Sequence, residues 1–461
     1  MPHFSNSERV VVVCATPPHF NPGMHSVDVS LDFVLKRHDI KVQLDRRVLY
    51  TPEELHRKGF GGSTNDYHSP FVYRSIRAVD AQLGRAQCIL FWGDFLHSRG
   101  HRGDVASILS ACKFARDQED ALRLVDRYLF LNDQPAAVLA RSILFGHCLL
   151  TETDQAKPDD EYVRHLRRLL QGAHGVWMRD ILSAQRAAEL RGSHQSHLGL
   201  DSALLLRPED CQEIAGVDQS LGGTRAGIFF GRIDQDPVSL LHFAKRLCRN
   251  LRAEPSWLPW LSATAVPLQV VRSAWPELSV SPSNETLPSV LASLLRCNFV
   301  ITDMYHLCVH AWNNGIPAVC VGRGASHFTT SISDKKKELF FLTHGAGRFY
   351  VFAEHLKEML EADGASQSAN PSRPQDVIPP TFESLSSILH DRPLIASIQA
   401  SIRGQREKVE PLFVQALEQL LGSDGGKCAP KTILKKMHSI QRRALEVLKQ
   451  AKALLGLPKS K

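Results

Sequence analysis

The chain has 461 residues, 43% hydrophobic and 22% charged, which predicts a globular protein of about two domains with ample core. Its net charge of +7 is concentrated at one end: residues 427–461 hold ten Lys or Arg against Glu446 alone, leaving a body of net charge −2. That argues against a nucleic-acid-binding body, and the opening residues, Met1 to Arg9, lack the basic-then-apolar pattern of a secretory leader.

Val10 to Ala15 predicts a buried strand. Val27, Val29, Leu31, Phe33 and Val34 give Ser26 to Lys36 helical spacing. Cys88 to Trp92 predicts another strand, followed by a loop and a helix from about Val105 to Tyr128. Ile143–Leu149 and Gly175–Met178 read as further strands, each leading into a helical pattern. A polar, Gly-rich stretch through Gly222-Gly223-Thr224 marks a linker. The alternation then restarts: strand Ala226–Phe230, helix Pro237–Asn250, strand Leu268–Val271, helix Glu285–Leu295, strand Asn298–Thr302, helix Met304–Asn314 and strand Ala318–Gly322. Gly, Ser and Pro dominate 364–380, and helices are expected over Glu383–His390 and Pro393–Leu421.

Repeated βαβ units predict parallel sheets covered by helices on both faces. The expected fold is α/β, with two Rossmann-like domains in a GT-B arrangement around an interdomain cleft. The boundaries fall at 1–220 and 221–363, then a flexible loop at 364–380, helices over 381–426 and a basic amphipathic tail over 427–461. In that tail Ile433, Met437, Ile440, Ala444, Leu448 and Leu455 share helical spacing with basic residues between them. Such a helix either packs on a protein surface or lies on anionic lipid. No apolar run approaches a membrane span, so the expected location is cytoplasmic; of the two readings of the tail, packing or partner contact is preferred, and the other would make the chain peripheral to the inner membrane face. The ten cysteines form no C-x-x-C pair, which argues against a zinc or redox motif and for reduced thiols. Walker-type, H-E-x-x-H and G-x-S-x-G patterns are absent from the sequence, which argues against ATP hydrolysis, zinc proteolysis and serine esterase chemistry.

The most informative stretch runs from Val300 to Gly322: a buried strand, a tight turn, a short helix closed by Gly315, then a second buried strand. It delivers His306 to a helix N-terminus at the carboxyl end of a parallel strand, where open α/β sheets bind ligands and helix amides favour anions. The plain reading of His306 is a polar residue in a helix's first turn; the functional one is a general acid–base near neutral pH. Arg232 ends a predicted strand and is either a surface ion-pair partner or a planar fork for phosphate or carboxylate. Lys335, Lys336 and Lys337 form a charge run of the kind that usually solvates a helix face. Gly93 lets the backbone turn after Trp92 and sends Asp94 toward the cleft, as a loop cap or a contact for sugar hydroxyls. His97, Arg99 and His101 follow in a polar loop able to close over substrate, and Gly23, His25 and Asp28 surround the first helix N-terminus. Asp180 and Ser183 fit helix capping, so Arg179-Asp180 reads as structural.

Four patches, in order, resemble the polysaccharide pyruvyl transferase family: Asn21 to Asp28; Val176 to Ser183 with Leu200-Asp201-Ser202-Ala203-Leu204 downstream; Gly227 to Arg232; and Ile301 to Pro317. The resemblance implies transfer of pyruvate from phosphoenolpyruvate to sugar hydroxyls of a surface polysaccharide or its precursor. It implies His306 as the catalytic proton shuttle, Arg232, Arg323 and Lys335 as donor clamps, and Asp94, His25 and His97 on the acceptor side. No cofactor and no metal are expected; the partners are a small-molecule donor and a glycan acceptor. At the critical turn the family usually shows Arg-Leu-His, whereas this chain has Met304-Tyr305-His306. A thioether cannot replace a guanidinium. A glycosyltransferase with a nucleotide-sugar donor, or an inactive glycan-binding relative, are the alternatives.

Overall fold

The computed structural model describes residues 9–15, 21–60, 71–78, 83–150, 160–192, 197–217, 223–233, 236–258, 260, 266–280, 286–323, 332–361 and 380–422. Two wholly parallel sheets organise it. The first comprises β1 (Arg9–Val13), β2 (Gln43–Val48), β3 (Arg74–Ser75), β4 (Cys88–Asp94), β5 (Ser142–His147), β6 (Gly175–Met178) and β7 (His197–Leu198), in the order β3-β2-β1-β4-β5-β6-β7. The second comprises β8 (Arg225–Phe229), β9 (Glu254–Trp257), β10 (Ser279–Val280), β11 (Phe299–Thr302), β12 (Ala318–Gly322) and β13 (Tyr350–Phe352), in the order β10-β9-β8-β11-β12-β13.

Parallel strands covered on both faces read as continuous apolar runs, and Val10–Val13, Cys88–Trp92 and Val300–Ile301 are buried in that way. Strand order reverses between β1 and β4 and again between β8 and β11, so each domain has a switch point at the carboxyl ends of those strands. The long helix Arg392–Leu421 ties the domains together. Its Phe413 ring packs 5.2 Å from Trp92 and 4.8 Å from Phe145 of the first domain, and Glu410 pairs with Arg37 at 2.7 Å. Arg406 donates to Leu204 O at 3.1 Å and to Asn313 Oδ1 at 2.9 Å, one partner in each domain. This is the GT-B arrangement of two Rossmann-like domains around a cleft.

Three local expectations are corrected. Leu268–Val271 belongs to a helix, Leu268–Ala274; four apolar residues fit a strand or a buried helix turn equally, and Pro267 stands at the N-cap. The single helix expected over Val105–Tyr128 is two, Arg99–Ala111 and Gln118–Leu129. Lys113 breaks it with a φ of 56°, and Asp117 caps the second piece by accepting from Asp120 N. The polar loop expected at 97–101 is the start of that first helix, capped by Ser98 accepting from His101 N.

Among the described residues no helix is long and apolar enough to cross a membrane. The tail 427–461 and residues 364–379 lie outside the described residues.

Candidate active site

Two helix N-termini meet where the domains face each other. The helix Pro22–Arg37 follows β1 and is capped by Asn21, whose side chain accepts from Gly23 N and Met24 N. The helix Tyr305–Asn313 follows β11 and begins after Met304, which offers no side-chain cap. His306 is 7% exposed and lies against Gly23 so closely that a Cβ there would be 2.4 Å from its Nδ1. One turn on, His310 Nε2 sits 2.7 Å from Ser26 Oγ. That hydroxyl donates to Gly23 O, so it accepts from the ring. His310 is fully buried, which pushes it down to about 3; it is a neutral interdomain fastener.

His306 Nε2 lies 3.6 Å from Asp201 Oδ2. Asp201 also receives Arg179 Nη1 at 3.2 Å and, on Oδ1, the N–H of Ala203 at 3.0 Å. Burial alone would raise this carboxyl, but His306, then Arg179 and the Ala203 amide, hold it far below the usual carboxylate range. Asp201 is therefore a permanent anion beside the ring of His306. The Tyr305 ring lies beneath two cations, Arg179 Cζ from the first domain at 5.3 Å and Lys336 Nζ at 4.8 Å. Lys336 also reaches Phe95 of the first domain, 5.5 Å from its ring. Burial first, then Asp201, raises the Tyr305 hydroxyl well above its ordinary value, so it stays protonated.

A narrow cleft opens beside this group and is lined by Arg179, Asp180, Asp201, Tyr305, Lys336 and Gln405 among others. Two cations, Arg179 and Lys336, are set against two carboxylates, Asp180 and Asp201, and Leu200, Leu204, Leu339 and Phe340 make much of the remaining wall.

The second domain's switch point is occupied differently. Asp303, wholly buried after β11, accepts from three successive backbone amides of the turn after β8: Gly231 N at 2.8 Å, Arg232 N at 2.7 Å and Ile233 N at 2.8 Å. Burial pushes its carboxyl up, opposed by Lys337 and those amides. Lys337 is itself fully buried, 2.6 Å from Asp334 Oδ1, and donates to Asp303 O at 3.1 Å.

Of the residues singled out in the sequence, His306 stands at the interdomain contact. Arg232 has an exposed side chain, and its carbonyl accepts from Arg323 Nη2 at 2.9 Å. Arg323 Nε is 3.9 Å from Asp334. These two arginines are linked to each other and do not line the cleft; neither does Lys335, half-buried on the helix Ile332–Thr343. Asp94 closes β4 in register with His147, and its side chain lies outside the described residues. Gly93 turns the chain there with a φ of 75°, and a Cβ would strike Val27 Cγ1 at 2.3 Å.

Two acceptor-side expectations are corrected. His97 is fully buried, 2.8 Å from Leu129 O and packed edge-on to Phe91 and Phe130; burial pushes it down to about 3. It is a core histidine, turned inward because Ser98 starts a helix. His25 is 1% exposed and pushed down to about 4 by burial, so its ring offers no surface to a sugar. Sequence reasoning also left Arg179 as structural and missed Asp201, Tyr305 and Lys336. Asp180 does cap its helix, accepting from Ser183 N and Ser183 Oγ, but the neighbouring Arg179 turns into the cleft.

The family model described as Polysaccharide pyruvyl transferase matches residues 30–324, well over half of the chain. The chain belongs to the polysaccharide pyruvyl transferase family. It is a transferase by class, and the match spans Arg179, Asp201, Asp303 and His306 but ends before Lys336. No curated protein matches it in sequence. Solved structures similar to it include UDP-GlcNAc 2-epimerase from Neisseria meningitidis bound to UDP-GlcNAc, 9% identical, covering 89% of this chain and 100% of that one, with a TM-score of 0.46. Others are the S. aureus MnaA–UDP complex, at 9% identity, 92% and 99% coverage and 0.45, and Phytolacca americana UGT2 with UDP-2-fluoro-glucose and pterostilbene, at 9%, 89% and 100%, and 0.43.

Proposed function

We propose that this transferase moves pyruvate from phosphoenolpyruvate onto two hydroxyls of a sugar in a surface polysaccharide or its precursor. The observation that carries the reading is the interdomain group itself: an imidazole at 306 backed by the ionised Asp201, beside a cleft bearing Arg179 and Lys336. Membership of the family supports the same donor.

The residues divide the work as follows. Arg179 and Lys336 hold the donor's carboxylate and phosphate, replacing the guanidinium that Met304 does not supply. His306, protonated and balanced by Asp201, gives its proton to the methylene carbon. The first sugar hydroxyl adds to the adjacent carbon and returns its proton to the imidazole. Phosphate leaves with the pair of its C–O bond, and the second hydroxyl closes the ketal, its proton going to the released phosphate. Fixed cations offset the charge that develops on phosphate, so the scheme calls on no cofactor. Asp94, at the carboxyl end of β4, stands on the acceptor side. Because His306 is nearly covered by Gly23, substrates enter when the domains part, and closure excludes water from the reacting carbon.

The test is release of phosphate from phosphoenolpyruvate over a panel of oligosaccharide acceptors. Glycan-dependent release that falls at least ~100-fold in His306→Asn, as loss of a general acid–base does, supports the reading. Release that His306→Asn leaves intact sinks it.

A further inference from the structure

The second domain carries, at the place where its fold would receive a ligand, an anion of its own. Sheet order reverses between β8 and β11, and the crevice beyond those strand ends is where open α/β sheets hold phosphates. Three consecutive amides there, from Gly231 to Ile233, form a concavity of the kind that binds oxyanions. The Asp303 carboxylate fills it: Oδ1 accepts one N–H and Oδ2 accepts two, at 2.7–2.8 Å. Each of these neighbours donates, so the group sits as an acceptor on both oxygens, as a carboxylate does. Lys337, held by Asp334, fastens the Asp303 carbonyl from below.

We infer that Asp303 is an internal pseudo-ligand that closes the second domain's phosphate turn and makes the chain refuse nucleotide-diphosphate donors there. A diphosphate approaching the turn meets donors already taken and a like charge a few ångström away. A small donor held at Arg179 and Lys336 does not use this turn. Asp303 is thus a specificity-determining residue, and the inference stands whether or not phosphoenolpyruvate is the donor.

Calorimetric titration with UDP, UDP-N-acetylglucosamine and inorganic pyrophosphate tests it, on the full chain and on Asp303→Asn and Asp303→Ser. Wild type is expected to bind none of the three at millimolar concentration. Asp303→Ser frees the three amides next to the exposed Arg232 and the nearby Arg323, and pyrophosphate affinity is expected to rise at least tenfold. Tight nucleotide binding by wild type would overturn the inference, as would folded variants no better than wild type at binding pyrophosphate. Should both variants fail to fold, glycine-selective ¹⁵N spectra of wild type decide. A Gly231 amide that stays in place as pyrophosphate is added supports the plug; one that shifts with saturation overturns it. Phosphoenolpyruvate titrated in parallel reports separately on the proposed donor.

Discussion

Replacing Gly23 with alanine puts a methyl group where the first domain's opening helix lies against the candidate acid–base. The new Cβ would stand 2.4 Å from His306 Nδ1 and 2.6 Å from both Cβ and Cγ, against an ordinary carbon contact of about 3.5–4.0 Å. Turning the ring relieves the first overlap but not the others, since His306 Cβ is fixed to its helix. The helix Tyr305–Asn313 must therefore retreat by roughly 1 Å, a strain of about 1–3 kcal/mol. The alanine regains up to about 1 kcal/mol of helix propensity, so the melting temperature should fall by only a few degrees. Turnover should fall much further, about 100-fold, the scale of a 1 Å misplacement of a reacting group. Gly404→Ala is the control: its Cβ meets nothing within 4 Å, and it should stabilise slightly and leave turnover alone. Phosphate release and thermal unfolding of the two variants decide the matter. A Gly23→Ala protein with wild-type turnover would refute the argument.

Asp201→Asn removes the counter-charge of His306 and a partner of Arg179. Turnover is expected to drop ~100-fold or more, with a loss of stability visible by denaturant titration. Asp28, buried beneath Tyr73, is raised to about 6 from 3.8, chiefly by burial and against Tyr73, Arg46 and Cys14. Its folded value exceeds its unfolded one, so its contribution is full below pH 4 and lost as pH rises through 6. Asp28→Asn should match wild type at pH 4 and exceed it by roughly 3 kcal/mol at pH 7; a gap independent of pH contradicts this. His97→Phe should cost about 1–3 kcal/mol by leaving Leu129 O unpaired, while turnover per folded molecule is unchanged. Lost turnover there would return His97 to the site.

Fold was legible because its signals are local. Continuous apolar strands, each followed by a helix, give parallel sheets from the sequence alone, and Gly175–Met178, Pro237–Asn250 and Ala318–Gly322 stand where periodicity puts them. β2 was illegible because Asp45 and Arg47 look solvated in sequence, whereas in the structure they neutralise each other at 2.7 Å and are buried together. In the site, His306 could be found since a strand, a turn and a helix point at it within ten residues. Asp201 could not, because it lies over a hundred residues away and no spacing announces a pair made by domain contact. The same reason hid Lys336: three adjacent lysines are alike in sequence, and only the helix phase separates the half-buried Lys335, the cleft-lining Lys336 and the fully buried Lys337.

The direct measurement is the affinity for phosphoenolpyruvate by calorimetry in wild type, Lys336→Met and Arg232→Met. With the donor held in the cleft by Arg179 and Lys336, wild type binds, Lys336→Met loses at least tenfold and Arg232→Met binds as wild type does. Equal binding in wild type and Lys336→Met, or loss in Arg232→Met alone, contradicts that placement.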